Sequence, residues 1–221
     1  MEKSNRSQGS ASSFEAESQD LHLQSKLRTI RVIDSARVGT TALALLMGLT
    51  VLGVSANTLR VYQETHVSPD FLLPLWPAEF NIRPTVALVI GSAVVLVSNI
   101  VALCCSQVRT LRARATVHTS VTFIAPLLGL AGALISIIFY YAVNASQTVD
   151  TFLSWTCRWT DIPMSQQPRW DTLCRQSHAG LYLAILLIPV EVAALVLAGF
   201  QMKIERYTDA YLRARKTPVL S

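Results

Sequence analysis

The sequence predicts an all-α fold, a four-helix transmembrane bundle with a short disulfide-closed outer loop, and three observations carry that prediction. Only 15% of the 221 residues are charged and 51% are hydrophobic, against the roughly 25% charged of an ordinary soluble domain. Mean hydropathy is +0.39 although both ends of the chain are polar, so the apolar residues are concentrated between them. They fall into four blocks, each of the roughly 20 residues that a helix needs to cross a hydrocarbon core of about 30 Å. This arithmetic excludes a soluble enzyme built on a buried core and a secreted disulfide mini-domain. Helices are the required form, because an open strand would leave its amides unpaired in hydrocarbon.

In chain order, residues 1–20 are rich in Ser, Gln and Glu and poor in large apolar side chains, so a disordered cytoplasmic tail is expected there. The tail has no signal-peptide pattern, which leaves the first span as its own insertion signal. Residues 21–37 form a juxtamembrane segment in which Leu23, Leu27, Ile30 and Ile33 recur at helical spacing, with Lys26, Arg28 and Arg31 on other faces. It suits either an amphipathic helix lying on the inner leaflet or a cytoplasmic extension of the first span. The membrane domain, 38–201, holds spans at about 38–62, 84–105, 120–143 and 179–201. A basic tail, 202–221, follows. Its stretch from Lys203 to Lys216, with Ile204, Tyr207 and Tyr211 on one face, is expected to continue the last helix.

Fourteen Lys and Arg residues lie in the two tails and the loop between spans two and three. The other five, Arg60, Arg83, Arg158, Arg169 and Arg175, lie on the opposite side. The positive-inside rule then places both termini in the cytoplasm. The net charge of +5 is accounted for by basic residues facing anionic lipid, so the bilayer is the expected partner and nucleic acid is not.

The four cysteines divide by compartment. Cys157 and Cys174 lie in the outer loop before the last span, where a disulfide is stable, while Cys104 and Cys105 end the second span on the reducing side. A Cys157–Cys174 bond would close a loop of about 18 residues and contribute about 3 kcal/mol on chain-entropy grounds. Trp155, Trp159 and Trp170 crowd around this pair and are expected to act as interfacial anchors of a compact cap, since tryptophan favours the membrane surface. Cys104 and Cys105, followed by Arg109, Arg112 and Arg114, stand in the setting where reversible S-acylation occurs, or are inert packing residues. Asn144-Ala145-Ser146 and Asn5-Arg6-Ser7 match the glycosylation sequon. The first abuts the membrane and the second faces the cytosol, so neither is expected to be modified.

Apart from Arg60 at the end of the first, Glu191 is the one charge inside the spans, near the middle of the fourth. An ionised acid at that depth is costly, and such residues mark either interhelical contacts or functional sites. No Lys, Arg or His occurs at matching depth, so the expectation is a neutral acid hydrogen-bonded to a neighbouring helix. Thr50 of the first span and Ser98 or Asn99 of the second come nearest its level. Pro189, two residues earlier, is expected to kink the helix. Ala44 and Gly48, Ala87 and Gly91, Ala125, Gly129 and Ala133, and Ala194 and Ala198 recur four apart, which lets helices approach closely. His22, His66, His118 and His178 lie in tails or loops without metal-ligand spacing, and no phosphate loop or nucleophile elbow occurs. No catalytic residue, cofactor or metal is therefore expected.

The run Ser154-Trp155-Thr156-Cys157-Arg158-Trp159, its partner Leu173-Cys174-Arg175, and the following Ala179-Gly180-Leu181-Tyr182-Leu183 lead into a last span containing Pro189 and Glu191. Over about Val38 to Gln201 this layout resembles the MARVEL-like tetraspan membrane proteins, in particular those of filamentous fungi. The resemblance implies a non-enzymatic protein that organises membrane subdomains or associates laterally with partner proteins, other copies of itself included. The tetraspanins fit less well, because their Cys-Cys-Gly signature is missing from the large outer loop. The claudins fit less well too: their Trp and Cys signature belongs in the first outer loop, which here holds Trp76 and no cysteine. The alternative expectation is a small membrane-embedded enzyme or transporter using Glu191, accessory to fungal secondary metabolism.

Overall fold

A computed structural model of the chain describes residues 6–66, 75–77, 79–108, 115–145 and 149–216; the side chains of 6–27, 30, 115–119, 205 and 208–216 are outside that description. Four long helices dominate it: α1 (Arg6–Thr65), α2 (Arg83–Gln107), α3 (Ala115–Asn144) and α5 (Trp170–Lys216). Between them lie β1 (Phe80–Asn81), β2 (Asp150–Thr151) and the short α4 (Phe152–Arg158). The stretches Arg31–Thr65, Arg83–Gln107, Ser120–Asn144 and Trp170–Ile204 are long and apolar enough to cross a membrane.

The four helices pack in the cyclic order α1, α2, α3, α5, each against its two neighbours, so that α2 and α5 face each other across one diagonal and α1 and α3 across the other. Buried positions follow a three-four spacing. On α1 they are Thr41, Ala44, Gly48, Val51, Ser55 and Thr58; on α5 they are Leu181, Ala184, Leu187, Glu191, Ala194 and Ala198. This is one stripe per helix, the seam of a bundle. Large apolar side chains take the other faces: Ile90 is 60% exposed, Ile135 68%, Ile138 64% and Phe200 56%. The interior combines apolar side chains such as Val51, Leu88, Ile137 and Leu187 with Ser92, Ser98, Asn99, Ser136 and Glu191. A bundle with oily faces outward and polar groups inward is built for hydrocarbon as its solvent.

Small residues set the helix spacing. A Cβ added to Gly91 of α2 would lie 2.6 Å from the Ser136 Cβ and 2.7 Å from the Gly132 carbonyl oxygen of α3. Of the small residues spaced four apart, Ala44, Gly48, Gly91, Ala125, Gly129, Ala133, Ala194 and Ala198 are buried, while Ala87 is half-buried.

Two expectations about helix ends change. The tail expected to be disordered to Asp20 is helical from Arg6. Once a long helix exists, extension adds a hydrogen bond per residue, and 11–20 contains no Gly or Pro to stop it. The segment 21–37 accordingly continues the first span. The fourth helix begins at Trp170, about two and a half turns before the apolar block at Ala179, and it continues as helix through Pro189 to Lys216.

Candidate functional site: a buried acid and an outer cap

Two regions gather the residues singled out above. The first lies inside the bundle. Glu191 on α5 is completely buried, and its Oε1 accepts a hydrogen bond of 2.8 Å from Asn99 Nδ2 of α2, directly across the diagonal. The same amide nitrogen also donates to the Val95 carbonyl at 2.9 Å, which fixes the orientation in which Asn99 offers its N–H. Among the described residues, Glu191 Oε2 has no hydrogen-bond partner. Room for the carboxyl group comes from Gly129 of α3, where a Cβ would lie 2.6 Å from Oε1. Three helices therefore build the site: one brings the acid, one the amide and one the gap.

Of the three neighbours expected for Glu191, Asn99 alone bonds to it. Ser98 is buried but donates to the Val95 carbonyl of its own helix at 3.0 Å. Thr50 is exposed and donates to the Leu46 carbonyl at 2.9 Å. Depth was read correctly enough for Asn99, but Thr50 faces outward because depth along an apolar helix says nothing about rotation around it. At the level of Glu191 the first helix presents Ala44, which shares a buried cluster with Leu187, Val95 and Ala133.

A second polar contact crosses the other diagonal. Arg37 of α1, only 7% exposed, donates from Nη1 to Thr122 Oγ1 of α3 at 2.9 Å and from Nη2 to Asp34 at 3.0 Å. Its place just before the first span suggested a lipid-facing anchor charge. The neighbouring Asp34, one turn earlier, was the available hint that this arginine turns inward.

The second region is the cap. Cys157 of α4 and Cys174 of α5 form the expected disulfide, their Cα atoms 4.9 Å apart. Thr151 caps α4 in a reciprocal box with Ser154. Strands β1 and β2 pair in parallel, Phe80 with Asp150 and Asn81 with Thr151, tying the first outer loop to the second. Around them Val61, Trp76, Phe152, Trp170 and Leu173 form one buried cluster joined by Tyr62 and Phe80. Trp76 meets Tyr62, Phe152 and Trp170 edge to face at 5.0, 5.7 and 5.2 Å and donates from Nε1 to Thr65 at 3.0 Å.

The tryptophans expected as anchors divide accordingly. Trp159 is 37% exposed, while Trp170 is 5% exposed and belongs to the cap interior. Trp155 is half-buried, packs on Trp159 at 5.6 Å and carries Arg158 over its ring. Trp170 points inward because Trp76 and Phe80 of the first outer loop supply an aromatic core for it, and nothing in the second loop's sequence announces that partner.

Cys104 is free and exposed and Cys105 is free and half-buried. Asn144 donates from Nδ2 to the Tyr140 carbonyl of its own helix at 2.9 Å and accepts from Thr151 Oγ1 at 2.6 Å, so the oxygen end of its amide ties α3 to β2. Asn5, Ser146 and the arginines at 109, 112 and 114 lie outside the described residues. Among the described residues, Cys157, Cys174 and His178 form a close group of potential ligand atoms, but the two sulfurs are bonded to each other. Protein-family models, curated proteins and solved structures were all compared with the chain, and none matches.

Proposed function

We propose that this chain is a tetraspan membrane scaffold of the MARVEL-like kind, with both termini in the cytoplasm, acting by lateral association with lipid, other membrane proteins or further copies of itself. The observation that carries the reading is the setting of Glu191: fully buried, bonded to Asn99 across the bundle and fitted against Gly129. An acid enclosed on three sides by an amide, a glycine and apolar side chains acts as a contact between helices, worth about 1–2 kcal/mol in such a bundle. The outward faces support lateral association, since Leu46, Ile90, Ile135 and Leu186 meet whatever surrounds the bundle.

A second reading has one observation of its own. Among the described residues Glu191 Oε2 lacks a hydrogen-bond partner, and an unpaired oxygen is what a proton-handling group in a transporter or enzyme would present. Glu191→Gln decides between them. The scaffold reading expects the variant to keep the partners that co-purify with the tagged protein and its location in the cell. Unchanged stability and oligomeric state together with loss of a transport or turnover activity would defeat it.

A further inference from the structure

An apolar groove of about 610 Å³ runs along the outside of the bundle between α2 and α3. Its floor and walls include Ile90, Val94, Val97 and Val101 from α2 and Val121 and Leu128 from α3. Ile90 and Val97 are 60% and 61% exposed, so the groove is open to the surroundings. Following the same stripe of α2 by one further turn, and by one heptad from Val97, leads to Cys104, a free and exposed thiol.

We propose that Cys104 is an S-acylation site whose fatty acyl chain lies in the α2–α3 groove. Geometry argues for this occupant over others. From Cys104 back to Ile90 the stripe covers about 21 Å along the helix axis, a reach of the same order as a long fatty acyl chain, and the attachment point lies at the end of the groove on the same face. Cys105 is rotated about 100° from that stripe and is half-buried. A chain already held by four spans gains little from an acyl group as an anchor. What the acyl group supplies here is a tethered occupant for the α2–α3 groove in place of exchanging bilayer lipid. The reaction is a transfer without redox change: Cys104 Sγ attacks the carbonyl of a long-chain acyl-coenzyme A, the donor's carbon–sulfur bond breaks, and coenzyme A leaves with the thiol proton. The inference rests on the cytoplasmic placement of this end proposed above, where acyl-coenzyme A is available.

The test uses the full chain expressed in cells fed palmitate that carries a photoreactive group at its far end. A hydroxylamine-labile adduct is expected on the Cys104 peptide, lost in Cys104→Ser and kept in Cys105→Ser. Illumination is expected to crosslink the chain end to peptides containing Ile90, Val94 or Leu128, and Val97→Trp, which fills the groove, is expected to abolish those crosslinks while leaving the thioester. Absence of a thioester at Cys104, acylation at Cys105 alone, or crosslinks scattered over α1 and α5 would overturn the proposal. So would equal crosslinking of Cys104→Ser, which would make free lipid the occupant, or crosslinking between two copies, which would make it a dimer face. A C-terminal epitope probed in the same intact cells separates the failures: an epitope reached from outside defeats the orientation, and a protected epitope without a thioester defeats the acyl site.

Discussion

The cap and the bundle interior are built by opposite rules. In the cap, Trp76, Phe80, Phe152 and Trp170 are turned inward, and Arg158 with Asp150, and Arg60 with Glu64, pair on the outside. In the bundle, Ile90, Ile135 and Phe200 are turned outward while Asn99, Ser136 and Glu191 are turned inward. The cap is a small water-facing domain stapled by a disulfide, held by the hydrophobic effect acting on large rings. The bundle gains nothing from hiding leucine, so it relies on close approach over Gly91 and Gly129 and on a few hydrogen bonds. One chain thus folds against two solvents, and the boundary lies near Val61 on α1 and Leu173 on α5, where the aromatic cluster begins.

That contrast predicts larger losses in the cap than in the membrane. Trp76→Ala empties the centre of the aromatic cluster and is expected to cost about 3–5 kcal/mol, read as the largest drop in thermal stability of detergent-solubilised protein. Cys157→Ser follows at about 3 kcal/mol; the Cys157→Ser, Cys174→Ser pair should cost no more than either alone, and a reductant should destabilise the native chain and leave the variants unchanged. Gly91→Val forces α2 from α3 against a carbonyl and a Cβ, for about 1–3 kcal/mol, and should also weaken any α2–α3 crosslink designed across the contact. Smallest are Glu191→Ala and Asn99→Ala, at about 1–2 kcal/mol each, and their double variant should fall short of the sum because the two share one bond. A loss at Glu191 equal to that at Trp76 would break the contrast.

What could be read from the sequence also divides at this boundary. Hydropathy placed all four spans, because the requirement for apolar length is imposed by the bilayer and does not depend on packing. Compartment logic paired Cys157 with Cys174. Rotation was illegible where a helix is apolar on every side, which is why Thr50 was paired with Glu191 and turned out to face outward. The early start of α5 is not legible because Trp170 to His178 are polar enough to read as loop, although they form the first turns of the helix. The β1–β2 pairing of two residues each is too short to leave a periodic signal, and it joins loops some seventy positions apart in the chain. Gly129 was seen as a packing residue, but its partnership with Glu191 depends on how three helices meet.

The most direct test of the account is side-specific labelling of single cysteines with a membrane-impermeant maleimide, in a chain whose Cys104 and Cys105 are replaced by Ser and whose disulfide is kept. Four positions suffice: Arg28→Cys and Tyr207→Cys at the two ends, Ile135→Cys on the outward face of α3, and Gln166→Cys in the cap. In sealed membranes the account predicts labelling of position 166 from the non-cytoplasmic face, of positions 28 and 207 only from the cytoplasmic face, and of position 135 only in detergent. Labelling of position 28 or 207 from outside, or of the two on opposite sides, would contradict four crossings with both ends in the cytoplasm.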